Sequence, residues 1–591
     1  MAQCSATILL ATTACLLGPA IADVPVEVSV DDGSGERVFV VACDELYCRP
    51  ERTTPHLVAE AGLLTTGQIR ERARELEQAS KSRFDLILYE KGKPRDPSVR
   101  RSLSRRVLVE MDGEQDPEGL AAAAGAVAFD LPDYARGFVI LRFSDPGDSL
   151  AKLKAVRDLD GVVSAKPLLG KRKNSRHIPD DPRFAWSTRN RNYQWHLRNT
   201  GQNSSIPGLD ANVTSVWDSY RGDGITIGIV DDGIQVDHPD LAANVNTSID
   251  YDWNDGTPHD PTPPLQNLGS GQFWDHGTAV SGVAAGRGDN GIGISGAAPH
   301  AQLVGLKILT ADTSEAEEAA ALGWRTDVID ISNNSWGELD DGQTLFSPGP
   351  LVRAALADSV ANGRGGKGTI YVWSCGNGRA AGDYANYDGF INAVETIGVG
   401  AINYRGKQTW YSESGANVVT SAPSSEDVDD HGIVTTSLTT NHSYMSHFGG
   451  TSSSAPLVSG VVALMLEANP SLGWRDVQEI LIQSARKVDA FDRGWIENGA
   501  GFDFHYGYGA GMIDAAAAVD MSVSWQNLTD QQSNEKSIGP VNASIRDNRS
   551  SGVDRTFTLS GTNLRIEHVL LTVDIEHPYR GDLVQRGGSK W

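Results

Sequence analysis

The stretch "GGTSSSAPLVSG", residues 449–460, decides how the chain is read. Two glycines, Thr451, three consecutive serines and Pro456 run straight into an apolar segment carrying Val458, Val461, Leu464 and Met465. That pattern predicts the start of a buried helix. Hydroxyls crowded at its mouth have two explanations. A serine before a helix is most often an N-cap, its oxygen accepting an otherwise unpaired backbone N–H. Otherwise one of the three is a nucleophile, which needs a base to take its proton and a carboxylate to orient that base.

Both partners are found at other element boundaries. "GITIGIV" (224–230) reads as a strand and runs into "VDDGI", which puts Asp231 at its carboxyl edge; "WDHGTAVSGVAAG" puts His276 at the start of an apolar helix. Alone, each has a plainer reading, Asp-Asp-Gly as a turn and His-Gly as a helix cap. In the order Asp231, His276, Ser452 they supply acid, base and nucleophile.

The surroundings of these residues alternate α and β. "AQLVGLKIL" (301–309), "VIDIS" (328–332), "GTIYVWS" (368–374) and "TIGVGAI" (396–402) are short apolar runs of the kind found in parallel strands covered on both faces. Helical patterns at 277–285, 313–323 and 350–361 lie between them. The expectation is a doubly wound, mostly parallel sheet over about 177–520, with its site at the carboxyl ends of the strands. "YVWSCGNGR" carries Asn377 at the end of such a strand, where Asn-Gly by itself reads as a turn.

The chain has 591 residues, enough for three or four units at ~100–200 residues each. Its 76 acidic and 51 basic residues give a formal charge of −25, which disfavours nucleic acid and anionic membranes and favours cationic partners. Residues 1–22 form an apolar run ending in Ala20-Ile21-Ala22, a pattern of cleaved signal peptides, so a secreted or periplasmic protein is expected. No later run of ~18 uninterrupted apolar residues suggests a membrane anchor. Cys43 and Cys48 are close enough in sequence to pair in an oxidising compartment, and Cys375 stands alone as a small buried residue.

Residues 105–170 read as strand, helix, strand, helix, strand, a small α+β module. A basic linker with Lys171, Arg172, Lys173 and Arg176 follows it, an exposed protease target. Residues 23–104 carry no legible role. Beyond 521 the composition turns polar and β-like, and Leu564, Ile566, Val569, Leu571, Val573 and Ile575 alternate as in strands with one buried face.

"VDDGI", "HGTAVSG", "NNSWG", "SCGNG" and "GGTSSSAP" together resemble the motifs of the subtilisin-like serine peptidases, most closely the kexin/furin branch, over roughly residues 181–591. The order Asp…His…Ser is that of subtilisin. The resemblance implies Asp231 as orienting acid, His276 as general base, Ser452 as nucleophile and Asn377 as oxyanion donor. It further implies Asp340 and Asp388 as acids reading a basic P1 residue, Asp232 as an acid for P2 and Glu318 for P4. Phe273 and Phe346 depart from the branch by standing where it carries further acids. It implies Ca²⁺ at two sites: Asp181, Asp240 and Asn290 with carbonyls near Arg287, Ile292 and Ile294, and Asp340, Asp383 and Glu413 beside the P1 pocket.

By the same resemblance, residues 105–176 are an inhibitory propeptide, cleaved by the enzyme itself after Lys173 or Arg176. Residues 521–591 are then the first part of a β-sandwich P domain, left C-terminally incomplete. The implied function is a secreted, calcium-dependent serine endopeptidase acting on proteins or peptides with basic P1 residues. A broad degradative subtilisin-like protease and a catalytically inactive binding scaffold are the alternatives.

Overall fold

The structure is a computed structural model. It describes residues 27–31, 36–49, 56–59, 64–80, 82–91, 100–112, 116–132, 135, 137–171, 177–185, 193–265, 274–426, 431–438, 443–537, 539, 542–545, 553, 565–572 and 575–576. The expected signal segment, the cleavage residues Lys173 and Arg176, and Phe273, Leu564 and Val573 lie outside the described residues. The chain divides into two units, 1–175 and 176–591.

The first unit is one eight-stranded sheet with helices. Its elements are β1 (Glu27–Asp31), β2 (Glu36–Arg49), β3 (His56–Ala59), α1 (Thr66–Ala79), β4 (Arg83–Glu90), β5 (Arg100–Met111), α2 (Pro117–Ala123), β6 (Ala128–Asp130), β7 (Phe138–Arg142), α3 (Pro146–Ala151), α4 (Leu153–Arg157) and β8 (Val162–Lys171). All pairings are antiparallel.

The boundary expected at residue 104 runs through β5. The first part of that strand pairs with β4, Leu86 opposite Leu103, and the second with β7, Val107 opposite Leu141. A single core joins Phe39, Leu46, Ile69 and Leu86 to Leu103, Val107, Leu141 and Val156. Residues 27–90 therefore belong to the same fold as the α+β module, because that module alone would leave half of β5 unpaired on one side. Cys43 and Cys48 are free thiols on β2.

The second unit is built on a seven-stranded, wholly parallel sheet in the order β10-β11-β9-β12-β13-β14-β15. The strands are β9 (Thr226–Asp231), β10 (Tyr251–Asp252), β11 (Gln302–Lys307), β12 (Ile331–Asn334), β13 (Ile370–Ser374), β14 (Thr396–Ile402) and β15 (Val418–Pro423). The helices are α5 (His276–Ala285), α6 (Glu315–Leu322), α7 (Pro350–Gly366), α8 (Thr451–Ala468), α9 (Trp474–Ser484) and α10 (Ala515–Val523), and an antiparallel hairpin of β16 (Ile433–Ser437) and β17 (Ser443–Phe448) precedes α8.

α8 is 18 residues long and apolar enough to cross a bilayer, but 83% of it is buried in this unit as the central core helix. Val458, Val461, Leu464 and Met465 are fully buried, at about 1.5–3 kcal/mol for each large apolar side chain.

Past Val523 the described residues form no strand. Residues 565–568 lie against α9 instead: Arg475 grips Glu567 at 2.6 and 2.7 Å, Arg565 pairs with Glu479, and His568 meets Gln478 at 3.0 Å. Ile566, Val569, Leu571 and Ile575, expected to alternate along strands, are exposed.

Candidate active site

β9 ends at Asp231, which is completely buried. Its carboxylate accepts from His276 Nδ1 at 2.8 and 3.0 Å and from the Asp232 N–H at 2.8 Å. A carboxylate only accepts, so the imidazole proton sits on Nδ1 and Nε2 is left with its lone pair. His276 opens α5, its ring 36% exposed and met edge-on by Phe448 with centroids 5.6 Å apart. Burial works against protonation of this ring, but the charges of Asp231, Asp232 and Asp275 outweigh it and hold its pKa above the ordinary value.

Asp232, expected to read a P2 cation, is only 3% exposed. Its two oxygens accept the N–H groups of His276 at 3.0 Å and Gly277 at 2.7 Å. These two bonds pin the helix end that carries His276. Asp275 is held by the Ser437 hydroxyl at 2.9 Å.

The three serines part company in the fold. Ser453 and Ser454 are fully buried, donating to Ser424 Oγ at 2.8 Å and to the Ala422 carbonyl at 3.1 Å. Ser452 alone remains partly exposed. None of them caps the helix: the N-cap is Gly450, at φ 70°, with no side-chain cap. A Cβ there would stand 3.2 Å from Asn377 Oδ1, so glycine both permits the turn and leaves room for that amide.

Pro456 lies in the second turn of α8. Its missing N–H leaves the Ser452 carbonyl without the helical donor four residues on. The Ser335 hydroxyl donates to that carbonyl at 3.1 Å, and the Ser452 hydroxyl donates to the Ser335 carbonyl at 3.2 Å.

Asn377 follows β13. Its Oδ1 accepts from the Thr451 N–H at 2.9 Å and the Thr451 hydroxyl at 3.1 Å, which turns its NH₂ group the other way. The N-terminus of α8 and this amide together offer N–H donors to a developing anion.

Beside Asn377 opens a cavity of about 140 Å³ lined by Glu338, Asp340, Cys375, Asn377, Tyr387 and Asp388 among others. Burial, assisted by the charge of Glu338, pushes Asp388 up to about 6. Asp388 accepts the Phe390 N–H at 2.7 Å, and Asp340 accepts the Asn377 N–H at 3.0 Å. Cys375 is buried against Ser412 and Glu413, which pushes its thiol up to about 12 and leaves it unreactive. Glu318, on α6, is outside the cavity lining. Burial raises it, as does Glu338. Phe346 packs on Phe390 with centroids 5.0 Å apart. Glu338 was not singled out in the sequence; its signal is its place two residues before Asp340 in "SWGELDDG".

Two oxygen clusters have the chemistry of hard-cation sites. Oxygens of Asp340, Asp383 and Glu413 lie within 4.8 Å of one another. Burial and then the charges of Asp340 and Asp383 hold Glu413 well above the usual carboxylate range. In the other cluster Asp181 accepts the N–H groups of Asp289 and Asn290, and Asp240 accepts the Asn290 amide at 2.8 Å and the Ile294 N–H at 2.8 Å. Burial, with Asp240 nearby, pushes Asp181 up to about 6. Tyr444, missed in the sequence because it comes from the distant β17, bonds to Asp240.

A buried acid bonded to a histidine, a partly exposed serine opening a core helix and an asparagine bonded to the neighbouring Thr451 are the residue types of a subtilisin-type site, carried here by a unit with a parallel sheet. Residues 222–509 match the subtilase family, peptidase S8. The chain is 38% identical over 414 residues to a PC3-like endoprotease, variant B, of Hydra vulgaris, covering 69% of this chain and 56% of the relative. It is 34% identical over 428 residues to human furin, covering 70% of this chain and 51% of furin. Among solved structures, the serine protease of Aeromonas sobria in complex with its chaperone superposes with a TM-score of 0.51 at 27% identity, over 57% of this chain and 67% of that one.

The chain carries a subtilisin-like peptidase domain of the kexin/furin branch. It spans about half the length of the curated relatives it matches.

Proposed function

We propose that the protein is a secreted or periplasmic, calcium-dependent serine endopeptidase that cleaves peptide bonds after basic residues. The single observation that carries this reading is the Asp231–His276 bond on the same unit as a partly exposed Ser452 flanked by a tethered Asn377 amide.

Ser452 Oγ attacks the scissile carbonyl carbon while His276 Nε2 takes its proton. Asp231 stabilises the resulting imidazolium. The oxyanion receives hydrogen bonds from Asn377 Nδ2 and the Ser452 N–H. As the C–N bond breaks, His276 returns the proton to the leaving amine, and water repeats the sequence to release the acid. Asp388 and Asp340 neutralise the P1 cation in the adjoining cavity, and Glu318 adds negative charge toward P4.

Calcium suits the two oxygen clusters because each gathers side-chain oxygens, the three carboxylates of Asp340, Asp383 and Glu413 in one and Asp181, Asp240 and Asn290 in the other, and its binding would stabilise the folded unit. The first unit acts as an inhibitory prosegment. Support comes from where its basic pairs lie: Arg100-Arg101 and Arg105-Arg106 lie within β5, whereas β8 ends at Lys171, two residues before Lys173 and five before Arg176. Residues 521–591 are read as the start of a P domain.

The test is labelling by a fluorophosphonate probe, followed by profiling of cleavage on peptides differing only at P1. Wild-type protein is expected to label and to cut after Arg and Lys, and Ser452→Ala to do neither. Labelling unchanged in Ser452→Ala would overturn the assignment.

A further inference from the structure

We propose that Glu338 is a specificity-determining residue of the P1 cavity, a rim carboxylate beside Asp340 and Asp388 that favours arginine over lysine at P1. This rests on the reading of that cavity as the seat of a basic P1 side chain.

Five acids line the cavity with unequal freedom: Asp383 and Glu413 belong to the oxygen cluster, which leaves Asp340, Asp388 and Glu338. Asp340 accepts the Asn377 N–H and has oxygens within 4.8 Å of those of Asp383 and Glu413, so part of its charge serves that cluster. Asp388 lies deeper, accepting backbone N–H groups that include those of Phe390 and Glu338. The Glu338 side chain lines the same cavity and makes no hydrogen bond or ion pair with any described residue. Its charge is felt by Asp388 on one side and by Glu318 on the other. Glu338 itself is exposed, at the rim rather than the floor.

The position matters because the two cations differ in shape. A lysine ammonium is a compact point charge with three donors at the end of its stem, and one deep carboxylate can serve it. A guanidinium is a planar fork of five N–H donors, some directed back toward the mouth. A free rim carboxylate meets those donors and adds little to an ammonium on the floor. The adjoining glycine enforces the arrangement: a Cβ at Gly337 would stand 2.8 Å from Asp388 Oδ2, so the chain passes close over the deep acid and carries Glu338 beside it.

The experiment compares kcat/KM of wild-type protein and Glu338→Gln on three peptides identical except for Arg, Lys or norleucine at P1. Active sites in each preparation are counted with the fluorophosphonate, so that a folding loss cannot pass for a specificity change. Glu338→Gln is expected to lower the Arg/Lys ratio about ten-fold, the effect of losing roughly one charge-assisted hydrogen bond, with the arginine peptide bearing the loss. An Arg/Lys ratio unchanged in Glu338→Gln, while wild type still prefers both basic peptides to norleucine, overturns the role of Glu338 alone. No preference for basic peptides in wild type overturns both it and the reading of the cavity.

Discussion

Two sets of buried acids, one in each unit, are treated in opposite ways. In the first unit Asp145 caps α3 and is gripped by Arg70 through two bonds of 2.9 Å, with Arg74 at 2.6 Å. Burial alone would raise its pKa, yet these arginines hold it below the ordinary value. In the second unit Asp388, Asp181 and Glu413 have no lysine or arginine partner among the described residues, and all three are raised. A buried carboxylate that brings its own cation is part of the scaffold. One left without a cation keeps its desolvation cost until something outside the chain supplies the charge. Asp231 stands between these cases, since in the proposed mechanism its cation is the imidazolium that forms on His276.

The largest effects fall on that intermediate case. Ser452→Ala is expected to lower kcat by about six orders of magnitude and Asp231→Asn by about four, magnitudes measured in subtilisin and its mechanistic relatives. Active-site-titrated peptide hydrolysis checks both. Because the base must be neutral, and Asp231 raises the pKa of His276, activity should fall as pH drops through that raised value. Asp231→Asn should move the acid limb of the residual kcat/KM profile to lower pH. An acid limb that stays in place would show that Asp231 orients the ring without tuning it.

The contrast between paired and unpaired acids is broken most directly at Arg70 and Asp388. Arg70→Met leaves Asp145 and Asp148 buried without their main cation and should destabilise the first unit by about 3–5 kcal/mol, seen in denaturant melts. Asp388→Asn should do the opposite. A folded pKa near 6, above the unfolded one, means that the carboxylate's contribution to stability is full below the unfolded pKa and is lost as pH rises to about 6. Removing its charge should therefore stabilise the second unit at neutral pH by on the order of 1–3 kcal/mol, while kcat/KM for basic P1 substrates drops about 100-fold relative to neutral ones. A destabilised Asp388→Asn would place this acid with the scaffold.

The smallest effect concerns ions. At about 100 times its Kd, Ca²⁺ should stabilise the second unit by about 2.7 kcal/mol. A raised melting temperature in calcium, absent in magnesium and reduced in Asp383→Asn, would assign the Asp340–Asp383–Glu413 cluster as the seat of that cation.

Local sequence was sufficient for the parallel sheet. "TIGVGAI" is β14 residue for residue and "GTIYVWS" contains β13, because apolar runs between turn residues have few alternatives when both faces are buried. β15 was missed because "VVTSAP" carries hydroxyls that only the fold satisfies: Thr420 and Ser421 both donate to the Gly511 carbonyl. The strands expected from the alternation at 564–575 are absent among the described residues there. Alternation states a preference for one buried face, and a strand also needs a partner to bond with.

What the sequence determined by itself is the set of candidates for the chemistry: an aspartate, a histidine, a serine and an asparagine, each at the boundary of a strongly patterned element. Which serine is left open to solvent was decided only by tertiary structure, since Ser453 and Ser454 are consumed by partners 29 and 32 residues away. The same holds for Asp232, whose oxygens are claimed by α5, for residues 27–90, whose strands complete the sheet around β5, and for Glu338, which becomes a wall of the cavity when β12 and the segment after β13 come together. Pattern reports what each residue is and which face it prefers. Burial and hydrogen bonding are settled by neighbours distant along the chain, and those neighbours exist only once the fold has formed.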